Sequence, residues 1–243
     1  MLVLGVAFVV GGLKHGTQTF SSERARTVSM LAVLAAATMA IPSLAHEFHA
    51  PAAAHSEALS LICAGVLLVL FVLTLPSFLR STPGEEHAPA RWSTPMTAIV
   101  LAIAGASAAF TSDWFVTALT PAIHTLHMSE EFAGLVIVAI AGNAVENVVG
   151  IQLAARNKMD FAVSVIVNSS LQIALALTPV IVFASLLFST HLTLVFPTLL
   201  ALVLLISGIL GALIVNDGES TWQEGAVLVG FYVVIAASFW WGT

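Results

Sequence analysis

Residues 142–172 read GNAVENVVGIQLAARNKMDFAVSVIVNSSLQ. Glu146 stands near the middle of an apolar run from Phe132 to Ala155. A helix of that length rises about 35 Å, enough to cross a bilayer, which places the carboxylate near the midplane. Keeping a charge there costs at least about 2.5–3.5 kcal/mol on insertion scales, so it marks a functional site by default. Asn143 lies three residues earlier and projects from the same helix face one turn away. Beyond the basic turn Arg156-Asn157-Lys158, a second apolar helix carries Asn168, Ser169, Ser170 and Gln172 at comparable depth. Two antiparallel helices therefore bring a carboxylate, amides and hydroxyls to one level of the membrane. Such an oxygen-only set suits Ca²⁺, Na⁺ or H⁺ and not soft metals.

Composition agrees. Of 243 residues, 59% are hydrophobic and 8% charged, with a mean hydropathy of +1.03. Apolar runs of bilayer length account for nearly the whole chain, leaving no sizeable aqueous domain. The seven Lys and Arg are scattered, which argues against nucleic acid as a partner. The single Cys63 excludes a disulfide framework within the chain. The sequence describes an integral, multi-pass, all-α membrane bundle whose partner is the lipid bilayer.

Met1 to Leu13 is apolar but too short to span, and Lys14 follows it rather than preceding it, unlike a secretory signal. It reads as a partial N-terminal helix. Complete spans are expected at about Thr27–Ala45, Ala58–Leu79, Met96–Leu126, Phe132–Ala155, the helix after Lys158, Leu192–Val215 and Gly225–Trp241, seven in all. The third is long enough to tilt or break. STPGEEHAPARW, around residues 81–94, is the most linker-like segment. Lys14, Arg24, Arg26, Arg80, Arg91, Arg156 and Lys158 then all fall on one side, which the positive-inside rule makes cytoplasmic. His46, His49, His55, His124, His127 and His191 fall on the other.

Ser129 is placed to cap the helix carrying Glu146, with Glu130 and Glu131 in its first turn and Arg156 closing its far end. Asp160 can cap the next helix. Gly134, Gly142 and Gly150 recur every eight residues, a stripe for close helix contact. Gly142 beside Asn143 makes local unwinding inexpensive, freeing carbonyls for a cation. Apart from Glu146, only Asp113 among the acidic residues lies inside an apolar run. It either caps a break in the third span or serves as a second proton-handling carboxylate. Ser169, Ser170 and Gln172 are either cation ligands or ordinary helix-packing donors. The terminal Phe239, Trp240 and Trp241 suit an interfacial anchor.

The run from Gly142 to Val182 resembles the second signature repeat of the cation/proton exchangers, the Ca²⁺/H⁺ antiporter branch of the cation/Ca²⁺ exchanger superfamily. The resemblance is carried by G-N-x-x-E at Gly142, Asn143 and Glu146, by the NKMD turn at Asn157–Asp160, and by S-S-x-Q at Ser169, Ser170 and Gln172. Downstream, NDGES at 216–220 with Trp222, Glu224 and Gly225 resembles the family's last loop, and Ser112-Asp113 stands where the family has Ser-Glu. Asn147 and Asn168 depart from the usual His and Gly. The resemblance implies an inverted-repeat exchanger fold, with residues 95–243 as the complete second repeat, 81–94 as a cytoplasmic linker and 1–80 as the remainder of the first.

It also implies a secondary transporter exchanging Ca²⁺ for H⁺, not an enzyme and without a cofactor. Glu146, Asn143, Ser169, Ser170 and Gln172 would form the cation and proton site, with Glu146 and Asn143 as metal ligands. The family pairs two G-N-x-x-E helices across its centre, and this sequence contains one. Ca²⁺ takes six to eight oxygens and usually more than one carboxylate. The expectation is therefore an N-terminally truncated chain, or one half that needs a complementary half with a second G-N-x-x-E, in a bacterial cytoplasmic membrane. Exchange of Na⁺ or Mn²⁺, and a non-transporting remnant or assembly subunit, are the alternatives.

Overall fold

The computed structural model describes residues 1–79 and 92–241; most of the 81–94 linker reading lies outside the described residues. The helices are α1 Leu2–His15, α2 Ser22–Glu47, α3 Ser56–Leu79, α4 Thr94–Leu126, α5 Glu130–Gly142, α6 Ala144–Ala155, α7 Met159–Ser185, α8 Thr198–Val215 and α9 Trp222–Trp240. Six of them are long and apolar enough to cross a bilayer, seven if the interrupted pair α5 and α6 is taken as one, and α1 is a shorter apolar helix. This is the all-α polytopic bundle that composition and run length demand.

The chain forms two compact units, Met1–Phe78 with Gly142–Ile235, and Leu79–Ala141 with Ala236–Thr243. In the first, α8 lies along α2, α1 packs on α6 and α7, and α6 pairs with α7. Small residues allow these approaches. A Cβ on Gly208 of α8 would fall 2.9 Å from Ala36 Cβ of α2, and one on Gly5 of α1 would fall 2.8 Å from the Gly225 carbonyl of α9. Without a water-driven hydrophobic force inside lipid, such close backbone packing carries much of the helix association. One core gathers Leu4, Phe8, Ala154, Met159, Ile166 and Leu228, and a second joins Ala35, Leu67, Leu171 and Leu175. A two-residue antiparallel pair, Gln18–Thr19 (β1) with Glu219–Ser220 (β2), ties the loop after α1 to the turn before α9.

Three boundaries differ from the sequence reading for identifiable reasons. α2 begins at Ser22 rather than Thr27 because the Ser21 side chain accepts from the Arg24 N–H, extending the helix into polar sequence. α8 begins at Thr198 rather than Leu192 because the preceding backbone is used otherwise. Leu192, Leu194 and Phe196 donate their N–H groups to the hydroxyls of Ser185, Ser60 and Ser43. The third is α4, which runs unbroken from Thr94 to Leu126 through both Asp113 and Pro121, so Asp113 caps no break.

The second unit holds α4, α5 and the end of the chain. The Ser129 hydroxyl accepts from the Phe132 N–H at 2.9 Å and donates to the Phe239 carbonyl. Phe132 meets Trp240 edge-on at 4.8 Å. The aromatic terminus thus packs on the start of α5 as well as offering Trp241 to the surroundings, which is exposed.

Candidate functional site

α5 ends at Gly142, and Asn143 leaves the helical region with φ −111° and ψ 26° before α6 resumes at Ala144. The interruption at Asn143 puts Glu146 in the first turn of α6, where helix N–H groups favour negative charge. Two π-helical turns flank the motif segments, Ala133–Val138 within α5 and Ile173–Leu177 within α7 directly after Gln172. Such turns alter the carbonyl pattern and recur at functional sites.

The hairpin of α6 and α7 sets the level of the side chains. A Cβ on Gly150 would lie 2.6 Å from Ile166 Cγ1 and 2.8 Å from Cδ1, so α7 sits against the bare face of α6 there. Glu146 is one turn away from Gly150 on that same face. Since antiparallel helices advance equally, Glu146 pairs in depth with Ser170, and Asn143 with Ile173. Glu146 and Asn143 are half-buried, as is Ser169, while Ser170 and Gln172 are exposed.

The serine hydroxyls both donate backward to the Ile166 carbonyl, Ser169 at 3.0 Å and Ser170 at 3.2 Å. Having spent its proton, each oxygen keeps lone pairs able to accept. Asn168 bonds Ser164 at 3.1 Å and, being some 200° around the helix from Ile166, faces away from α6. Among the described residues, no lysine or arginine is paired with Glu146, and no group of three or more His, Cys, Asp and Glu side chains could hold a metal ion. The hairpin supplies one carboxylate with neutral oxygens at its level. Asp113 belongs to the other unit and is exposed on α4.

Among the described residues the glycine stripe makes a close contact at Gly150 alone, since a Cβ on Gly134 or Gly142 would meet nothing within 4 Å. The far end of α6 is closed by different residues from those expected. Lys14 Nζ donates to the Ala155 carbonyl at 2.9 Å, His15 Nε2 lies 3.0 Å from the same oxygen, and Gln18 Nε2 donates to Ala154 at 3.1 Å. Arg156 is merely the C-cap position, its side chain exposed. Asp160 does not cap α7, whose N-cap position is Lys158; its Oδ1 accepts from the Ser21 N–H at 2.8 Å instead. Sequence reasoning missed Lys14, His15 and Gln18 because they stand at the end of α1 and just beyond it, far from the motif in the chain. The only signal was a cluster of donors following an apolar helix.

Residues 96–241 match the family model described as sodium/calcium exchanger protein. The chain is 36% identical over 252 residues to the Ca(2+)/H(+) antiporter ChaA of Bacillus subtilis, covering 98% of this chain and 71% of that protein. It is 31% identical over 254 residues to a vacuolar calcium ion transporter of Schizosaccharomyces pombe, covering 99% of this chain and 61% of the relative. The solved structure of native YfkE superposes with a TM-score of 0.80 at 34% identity, over 98% of this chain and 70% of that one. The chain thus spans 61–71% of the length of these relatives. These are transporters and not enzymes, and this multi-pass membrane chain belongs to the sodium/calcium exchanger protein family.

Proposed function

We propose that this chain exchanges Ca²⁺ for H⁺ across a membrane, with Glu146 as the group for which metal and proton compete. The observation that carries the reading is a carboxylate at a helix break, on the face turned to α7, level with two serines whose oxygens retain lone pairs. Asn143, Ser169, Ser170 and Gln172 add neutral ligands, and the backbone around Gly142 adds carbonyls. The names of the relatives favour Ca²⁺ over Na⁺ or Mn²⁺ as cargo.

A single carboxylate offsets at most half the charge of Ca²⁺. In this reading the second comes from a complementary half carrying another G-N-x-x-E, with residues 95–243 acting as one repeat, 81–94 as the linker and 1–80 as part of the other. When the cation leaves, two facing carboxylates cannot both stay ionised, so one takes a proton and the two fluxes are coupled. Asp113 serves as a further proton-handling group. The loops bearing Lys and Arg are cytoplasmic, and in a bacterial cytoplasmic membrane the inward proton gradient expels Ca²⁺.

The test is proton-driven ⁴⁵Ca²⁺ uptake into everted vesicles from cells producing the chain with its native partners. Glu146→Gln abolishes uptake, and excess unlabelled Ca²⁺ suppresses the wild-type signal far better than Na⁺ or Mn²⁺. Undiminished uptake in Glu146→Gln overturns the assignment. Suppression led by Na⁺ or Mn²⁺ replaces the cargo, and absence of any driven flux identifies a non-transporting subunit.

A further inference from the structure

We infer that Gln18, together with Lys14 and His15, is a positioning group that aims the Glu146 helix. The inference deepens the exchange reading, since what is aimed is the carboxylate on which that reading rests. α6 is a rod of 12 residues with two unlike ends. At the end near Glu146 its continuity with α5 is broken at Asn143. At the other, the carbonyls of Ala154 and Ala155 are among the last four, which an α-helix leaves without an i+4 donor; Ala154 accepts the Asn157 N–H at 3.0 Å, and side chains from one short segment bond both carbonyls.

Gln18 is the centre of this clamp. Only 2% exposed, it spends both amide hydrogens on the hairpin, one on the Ala154 carbonyl at 3.1 Å and one on Asn157 Oδ1 at 2.8 Å. Among the described residues its Oε1 has no hydrogen-bond partner, and it fills the space a side chain would need at Gly11, where a Cβ would fall 1.9 Å from it. Leaving a buried amide oxygen unpaired is costly, and the geometry accepts that cost to aim both N–H groups at α6 and its turn. The backbone beside Gln18 is itself fixed by pairing with Ser220. Lys14 and His15 converge on the next carbonyl; the Lys14 ammonium complements the negative helix end, and His15 reaches the same oxygen through Nε2.

The lever is long. Glu146 stands eight residues from Ala154, about 12 Å along the axis at 1.5 Å per residue. A tilt of about 5° at the clamp therefore displaces Glu146 by about 1 Å, where misplacement on that scale can cost on the order of 100-fold in function. The C-terminal clamp and the Gly150 contact together define where the carboxylate points.

Hydrogen exchange on the full chain in lipid nanodiscs tests this without requiring transport. In Gln18→Leu, amides of residues 144–150 exchange at least tenfold faster than in the wild type, while those of α8 are unchanged. Lys14→Met gives a smaller change in the same residues, and Lys14→Arg, which keeps a donor, restores protection. Unchanged exchange at 144–150, or acceleration spread equally over α8, overturns the inference. In vesicles that transport, Gln18→Leu raises the KM for Ca²⁺ at least tenfold per folded molecule, whereas an unchanged KM with fewer folded molecules also overturns it. Failure of all driven flux with local exchange still accelerated refutes the exchange reading while supporting the clamp.

Discussion

Replacing Gly150 by alanine separates stability from geometry at the hairpin. The new methyl would sit 2.6 Å from Ile166 Cγ1 and 2.8 Å from Cδ1, where carbon atoms pack at about 3.5–4.0 Å. Either Ile166 turns or α7 retreats from α6 by about 1 Å. Two energies oppose each other. Alanine in a helix interior gains roughly 0.5–1 kcal/mol over glycine, and forced overpacking costs typically about 1–3 kcal/mol. The folded chain should therefore lose no more than about 2.5 kcal/mol and remain assembled. The site does not share this tolerance, because retreat of α7 carries Ser169 and Ser170 away from the level of Glu146, and metal ligands tolerate only about 0.2 Å. The expected result is a thermal unfolding midpoint within a few degrees of wild type, with the KM for Ca²⁺ in everted vesicles raised about 10- to 100-fold. Adding Ile166→Ala, which removes both clashing carbons, should recover most of the affinity, the non-additivity expected of residues in direct contact. Wild-type KM in Gly150→Ala, or no recovery in the double variant, would refute the reasoning.

Ser43 offers a contrast between buried and exposed polar contacts. Its hydroxyl, 2% exposed, accepts from the Phe196 N–H at 2.9 Å and donates to the Leu194 carbonyl at 3.1 Å. Ser43→Ala leaves two backbone groups unserved and should cost about 1–3 kcal/mol for each, whereas His191→Gln, which removes the exposed pair with Glu57 at 2.7 Å, should cost less than about 1 kcal/mol; unfolding midpoints in detergent rank the two. Ser129→Ala removes the cap on the Phe132 N–H and should cost about 1 kcal/mol, seen as faster amide exchange confined to the first turn of α5.

The features that could be read from sequence are those set by local chemistry or helix periodicity. Six helices of bilayer length, and the interrupted pair α5 and α6, follow from run length alone, and the common level of Glu146 and Ser170 follows from equal rise on either side of the Arg156–Lys158 turn. Ser129 as a cap needs only its own position before Glu130, Glu131 and Phe132. What escaped depended on partners distant in the chain. The start of α8 is displaced because serines of α2, α3 and α7 take the N–H groups that a longer helix would have used. The π-helical turns at Ala133–Val138 and Ile173–Leu177 fall in apolar sequence with no composition to mark them. The uninterrupted α4 shows the reverse case. Asp113 and Pro121 suggest a break, but a hydrophobic helix in lipid keeps its hydrogen bonds because nothing else there can replace them.

The distribution of polar contacts along the α6–α7 hairpin is uneven, and the unevenness suits a moving site. At the basic turn, Lys14, His15 and Gln18 hold α6, Asn157 receives Gln18, and Asp160 receives the Ser21 N–H. Every one of these bonds crosses from the hairpin to the last turn of α1 or the segment that joins it to α2. At the Glu146 end the helix is interrupted at Asn143, α7 passes into a π-helical turn after Gln172, and the hydroxyls of Ser169 and Ser170 bond back to Ile166 of their own helix. Pinned hydrogen bonds resist local opening, while a broken helix and self-contained side chains rearrange at little cost. An exchanger must shift its site between two exposures without losing register, and in the proposed exchange a hairpin held at its turn and interrupted at Asn143 does so by small tilts. The clamp and the break are thus two halves of one device: stiffening the break, as by replacing Gly142 with a helix-favouring alanine, should slow turnover while leaving the exchange rates of residues at the clamp unchanged.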